Sequence, residues 1–239
     1  MRWLFGLVLC LAPVVAQGID ETARQFERAA RNDPSENNLF DLGSYLLQHN
    51  GFAPGLTVFE YGINRYPTSA RLRVGLGVAL YSLGRYDEAV ERLCQAVDLD
   101  PRDTKALDFL GKMQDISPQY KNEVGRRLAH FVELYPKNAA ANYYYALSLG
   151  ERGQSYFETA VQLDPSFTDA HYHLGLLQEE AGATAKAILQ YQVVIEQRPD
   201  FSQAHYHLAR LYQKSGKPDL ARKEFALLKA LKAQQTPLR

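Results

Sequence analysis

The sequence predicts an all-α chain, a solenoid of stacked antiparallel helix pairs, and three observations predict it. Prolines return at near-constant spacing, at Pro34, Pro67, Pro101, Pro136, Pro165 and Pro199, and only the step from Pro136 to Pro165 is clearly short. Ten places after each proline but the first stands a small residue, Gly77, Gly111, Ala146, Gly175 and Ala209; after Pro34 it is Ser44, with Gly43 one place earlier. Between the prolines, apolar residues follow one another at helical spacing on either side of a short turn. A fixed period of this length marks a repeat too thin to bury its own apolar face, so neighbours must stack. The small residue at a constant offset is then the point where the helices of a pair come closest, because a larger side chain would hold them apart.

Taken in order, residues 1–16 carry Arg2 and then no charge from Trp3 to Val15, ending in Val14-Val15-Ala16 before the polar Gln17. That composition reads as a secretory signal peptide cleaved after Ala16, since its apolar run is well short of the roughly 20 residues of a membrane-spanning helix. Cys10 follows Leu7-Val8-Leu9 rather than a small residue, which argues against a lipoprotein signal. Residues 18–34 predict a capping helix. Asp20 and Glu21 sit where the helix dipole favours acids, Phe26, Ala29 and Ala30 form one stripe, and Pro34 stops it.

Six helix pairs follow, over 36–67, 70–101, 104–136, 138–165, 168–199 and 202–233, and 234–239 is a tail. The first pair places Leu39, Leu42, Gly43 and Leu46 on one helix, turns at Asn50-Gly51, and places Leu56, Phe59, Ile63 and Tyr66 on the next. Gly55 and Gly62 stand where the pattern prefers alanine, at about 1 kcal/mol each, so this pair is expected to be soft. The second pair is in register throughout. The third turns at Ile116-Ser117-Pro118, with Ser117 as N-cap and Pro118 at the first helical position, and Val124, Leu128 and Phe131 supply its second stripe. The fourth is five residues short, a loss assigned to the turn at 150–153, because Tyr145, Ala146 and Leu149 before it and Phe157, Ala160 and Leu163 after it stay in phase. The last two pairs open alike, with Ala170-His171-Tyr172-His173-Leu174 and Ala204-His205-Tyr206-His207-Leu208. They continue through Ala187, Tyr191 and Val194, and through Ala221, Phe225 and Leu228.

The register Gly77…Leu80…Gly84-Arg85-Tyr86…Ala89…Leu93…Ala96…Pro101, which returns over nearly all of residues 18–233, resembles the tetratricopeptide repeat. The resemblance implies a right-handed superhelix whose inner groove, lined mainly by the first helix of each pair, holds a peptide or an extended partner segment. It places Arg71, Val74, Val78 and Tyr81 on that groove in the second pair, and Lys105, Asp108 and Lys112 in the third. Tyr143 and Leu147 follow in the fourth, Tyr172, Leu176 and Glu179 in the fifth, and Tyr206, Arg210 and Gln213 in the sixth. Tyr143, Tyr172 and Tyr206 recur three places before the small residue. A row of tyrosines buries a large area for few lost rotamers and still hydrogen-bonds; the alternative is that the rings only fill space between repeats. Arg71, Lys105, Lys112 and Arg210 would anchor polar groups. Chaperone-binding members of the family carry a carboxylate clamp of Lys and Asn at adjacent inner positions. Val74 with Val78, Asp108 with Lys112, and Tyr143 with Leu147 do not provide it.

Composition narrows the function. The 27 basic and 27 acidic residues leave no electrostatic footprint for nucleic acid or an anionic membrane surface. After signal cleavage one cysteine remains, Cys94, which forms no internal disulfide and reads as a buried small hydrophobe. The His-Tyr-His pairs do not chelate one ion, because residues i and i+2 of a helix point about 200° apart; they read as fillers of repeat interfaces, and no metal or cofactor is expected. No Gly-rich phosphate loop, paired zinc spacing or Gly-x-Ser-x-Gly elbow is present, so no enzymatic activity is expected. The expectation is a non-catalytic protein–protein interaction scaffold, periplasmic or secreted, holding an extended partner segment within an envelope or secretion assembly. The alternative is a structural subunit that binds through its convex face or its ends. The sequence leaves the oligomeric state open.

Overall fold

The computed structural model describes residues 21–116 and 118–235. The signal region with Cys10, the start of the cap, the Ser117 N-cap and the last four residues lie outside the described residues. Every regular element among the described residues is helical. The chain divides into two compact units, between Arg127 and Leu128. The first unit holds α1 (Glu21–Asn32), α2 (Glu36–Gln48), α3 (Phe52–Arg65), α4 (Ala70–Ser82), α5 (Tyr86–Leu99), α6 (Thr104–Gln114) and the start of α7 (Pro118–Leu134). The second holds the rest of α7, α8 (Ala139–Leu149), a 3-10 turn (Gly150–Gly153), α9 (Gln154–Leu163), α10 (Thr168–Glu180), α11 (Thr184–Gln197), α12 (Ser202–Lys214) and α13 (Pro218–Gln235). The terminal helix thus runs two residues beyond the expected boundary at Ala233.

In the first unit, the first helix of each pair starts on a polar cap. Ser35 Oγ accepts from Asn38 N, Ser69 Oγ from Leu72 N at 3.2 Å, and Asp103 Oδ1 from Lys105 N at 2.9 Å. Each cap satisfies a helix N–H that otherwise has no partner. The capping helix α1 buries Ala30 against Leu39, Leu42, Leu46 and Val58, with Phe26 packed alongside. Phe59 is fully buried between two glycines: a Cβ on Gly43 would lie 2.5 Å from its ring, and one on Gly75 2.3 Å. The close-approach residue of this pair is therefore Gly43 and not Ser44, because the step from Pro34 to Pro67 is one place shorter than the step from Pro67 to Pro101. Gly55 and Gly62 also have a packing reason. A Cβ on Gly55 would meet Leu47 Cδ2 at 2.9 Å, and one on Gly62 would meet Leu72 Cδ1 at 3.1 Å. Alanine there regains about 1 kcal/mol of helix propensity against a contact with the end of a leucine side chain, so each glycine carries both a propensity cost and a packing role.

In the second unit the same logic places Gly175 against Tyr191, 2.7 Å from a Cβ to the ring. The shortened turn closes because Gly153 lies directly on the backbone of Ala146; a Cβ there would be 2.3 Å from the Ala146 carbonyl oxygen. Two histidines act as struts. His171 Nε2 donates to Pro165 O at 3.1 Å while Nδ1 meets Gln190 Oε1 at 2.7 Å. His205 does the same in the next repeat, with Pro199 O at 2.9 Å and Glu224 Oε2 at 2.6 Å. Each ring ties the first helix of its pair to the second helix and to the proline before it, so both nitrogens are occupied.

Candidate functional site

Two junctions of the second unit are each built from four rings at matching positions of the repeat. Tyr143 and Phe157, from one pair, meet Phe167 and His173 of the next, with Tyr143–Phe167 centroids 4.8 Å apart and Phe157 stacked on His173 at 5.8 Å. Tyr172 and Tyr191 meet Phe201 and His207 in the same way, at 4.9 Å and 5.1 Å. Phe167 and Phe201 occupy the N-cap positions of α10 and α12 and make no side-chain cap bond. Giving up a polar cap costs about 1 kcal/mol, which burial of the rings offsets. Tyr191 is fully buried and donates its hydroxyl to Glu179 Oε2 at 3.0 Å; the same oxygen accepts from His207 Nδ1 at 2.8 Å. Burial, and then the Glu179 carboxylate, push the Tyr191 phenol up, so it stays a donor.

These junctions correct part of the tyrosine row. Tyr143 is only 7% exposed and packs among Phe157, Phe167 and His173, so it is a core ring and not a groove contact. Tyr172 is half-buried against Phe201, and Tyr206, at 43%, is open to solvent. The row follows the repeat junctions, and its exposure rises toward the last pair.

A depression of about 430 Å³ lies between α10 and α12. Leu176, His207 and Leu211 line it apolarly, Glu179 and Glu180 stand on one wall, and Arg210 and Lys214 on the other. It gathers Leu176, Glu179 and Arg210 from the predicted set and adds Glu180, His207, Leu211 and Lys214. Lys214 follows Arg210 by four residues, one helical turn, so its place on that wall was legible from spacing. Gln213 is exposed but does not line the depression, and Leu147 packs beside the core of its own pair.

The predicted residues of the first unit form a less open surface. Val74 is buried at 7% exposure and is not available to a ligand. Arg71 already lies over Phe40, 4.0 Å from the ring, and donates to Asn37 Oδ1 at 2.8 Å, so it serves the packing of α4 on α2. Tyr81 meets Tyr86 and Phe109 at 5.6 Å and 6.5 Å, and Lys112 covers Phe109 at 4.5 Å. Lys105 is exposed, while Val78 and Asp108 are half-buried. Burial pushes the Cys94 thiol up to about 12, which keeps it protonated and unreactive. Among the described residues no group of three or more His, Cys, Asp or Glu is placed to hold a metal ion, and no helix is long and apolar enough to cross a membrane.

Comparison with known proteins agrees with this geometry. A tetratricopeptide repeat model matches residues 40–104 and 138–200, and a second model of the same repeat matches 176–238. The Protein CTR9 homolog of Arabidopsis thaliana is 26% identical over 198 residues, which is 76% of this chain; the chain spans only 18% of that relative's length. Among solved structures, PilF of Pseudomonas aeruginosa superposes with a TM-score of 0.64 at 18% identity, over 83% of this chain and 92% of that one. PilW, a widely conserved type IV pilus biogenesis factor, superposes with a TM-score of 0.59 at 16% identity, over 82% and 92%. At these identities the likeness speaks for the fold, an all-α solenoid of helix pairs. With the two models covering more than half of its length, the chain belongs to the tetratricopeptide repeat family.

Proposed function

We propose that this protein is an exported, non-catalytic scaffold that holds an extended segment of a partner protein in the depression between α10 and α12. The observation that carries the reading is the make-up of that depression, an apolar floor between one acidic and one basic wall. A segment lying along it places apolar side chains on the half-buried Leu176, beneath which Leu211 is buried, while its polar groups meet Glu180 on one side and Arg210 and Lys214 on the other. Opposed charges fix the direction and register of a ligand more than they raise its affinity. A shallow trough of this kind suits an extended chain better than a small substrate, which calls for an enclosing pocket. Export rests on the apolar run of residues 3–15 and the small residue before Gln17.

The test is affinity capture from envelope extract with wild type and with the double variant Glu180→Arg, Lys214→Glu. Both residues are exposed, so the swap leaves the fold intact. Wild type is expected to retain a partner that the variant loses, and the mature chain is expected to have the mass of one starting at Gln17. Identical capture by both proteins would refute the groove reading, and a retained N-terminus would refute cleavage.

A further inference from the structure

The turn that ends α2 carries an asparagine where the matching turns after α4, α10 and α12 carry glycine, and we propose that Asn50 is a site of spontaneous deamidation, gated by the hydrogen bond that closes this turn. The backbone is alike in all four. Asn50 has a φ of +61°, against +75°, +73° and +69° at Gly84, Gly182 and Gly216. Asn50 N donates to Leu47 O at 3.1 Å and Gly51 N to Leu46 O at 2.7 Å, just as Gly84 N donates to Tyr81 O at 3.0 Å and Arg85 N to Leu80 O at 2.9 Å. A left-handed residue closes a helix in this way, and asparagine is one of the few side chains besides glycine that accept it. A Cβ added at any of the three glycines would meet nothing within 4 Å. Asn50 is likewise exposed, and its carboxamide has no hydrogen-bond partner among the described residues.

Asn50-Gly51 is the only Asn-Gly step in the sequence. An asparagine loses its side-chain amide when the following backbone nitrogen attacks its Cγ, and a following glycine, with no Cβ, hinders that attack least. The Gly51 nitrogen gives up its proton to water, the N–Cγ bond forms, the Cγ–Nδ2 bond breaks and ammonia leaves, which closes a succinimide ring. Water then opens the ring. Addition at the side-chain carbonyl leaves an aspartate at position 50, and addition at the backbone carbonyl leaves an isoaspartyl linkage with an extra carbon in the main chain. The folded turn opposes the first step, because the attacking nitrogen holds its proton on Leu46 O. The gate is therefore the last turn of α2, and helix ends open at the low end of the range of local stabilities. The lengthened main chain no longer fits the turn, so the isoaspartyl product releases the end of α2, where Leu46 packs with Ala30, Leu39, Leu42 and Val58.

The test incubates the full chain and a synthetic peptide of residues 44–56 side by side at mildly alkaline pH and follows the conversion of the amide to the acid at position 50 by peptide mass spectrometry. The peptide is expected to convert, and the folded chain to convert at the same position at least tenfold more slowly. Exchange of the Gly51 amide hydrogen in the folded chain is expected to be slowed by a similar factor, since it too needs the bond to Leu46 O to open. Unfolding the chain in urea is expected to bring its rate to that of the peptide. The isoaspartyl fraction is expected to unfold at lower urea than the fresh chain, whereas Asn50→Gly, which installs the residue of the other three turns, is expected to be unchanged by the same incubation. Equal rates in the peptide and the folded chain would overturn the gate, and no conversion at position 50 in the unfolded chain would overturn the site.

Discussion

Gly153→Ala is expected to destabilise the second unit by about 3 kcal/mol, more than any other single methyl addition at a turn. The added Cβ falls 2.3 Å from the Ala146 carbonyl oxygen and 2.9 Å from the Ala146 Cα and carbonyl carbon. All three are backbone atoms, so no rotamer change relieves the contact and α8 must separate from the turn. Gly216→Ala is the control. Its φ of +69° is left-handed, but nothing lies within 4 Å of the added atom, so only the conformational cost of about 1 kcal/mol applies. Urea unfolding followed by circular dichroism reads both. Equal losses for the two variants would mean that the short turn tolerates a side chain and that the five-residue deletion is absorbed elsewhere.

Tyr143→Ala is expected to cost about 3 kcal/mol, as for other buried aromatic truncations, while Tyr206→Ala should fall within about 0.5 kcal/mol of wild type. The difference follows from the packing, since the first ring packs on Phe157, Phe167 and His173 while the second is 43% exposed. Tyr172→Ala belongs between them. The same melts provide the check. Three equal losses, or none, would remove the view that the tyrosine row is a set of repeat junctions with the last one open.

The period of the prolines was enough to read an all-α stack of helix pairs, because a close approach once in every repeat leaves few residues other than Gly or Ala to mark it. Counting ten from Pro34 nevertheless reaches Ser44, with Gly43 one place earlier. An offset is measured from the helix start, and the shorter first interval moves Gly43 into the place under Phe59. Gly55 and Gly62 looked like defects for a related reason: propensity is local, while Leu47 and Leu72, the side chains that exclude a methyl there, come from other helices. The burial of Tyr143 had the same origin. Its identity matched Tyr172 and Tyr206, but its exposure depends on Phe167 and His173 of the following repeat, and the same difference leaves Tyr206 in solvent. The division after Arg127 falls in the pair with the longest step between prolines, Pro101 to Pro136, and with the Ser117-Pro118 turn, a departure visible in the spacing although its meaning was not.

Whether a partner segment lies in the trough between α10 and α12 is decided by placing a photo-crosslinking amino acid at Arg210 or at Leu189. Arg210 stands on the basic wall of the trough, and Leu189, 59% exposed on α11, lies outside it. Irradiation in envelope preparations is expected to join one partner to the protein labelled at position 210 and nothing to the protein labelled at position 189. Crosslinking at position 189 with none at position 210 would contradict the account and place the partner on the second helices of the repeats.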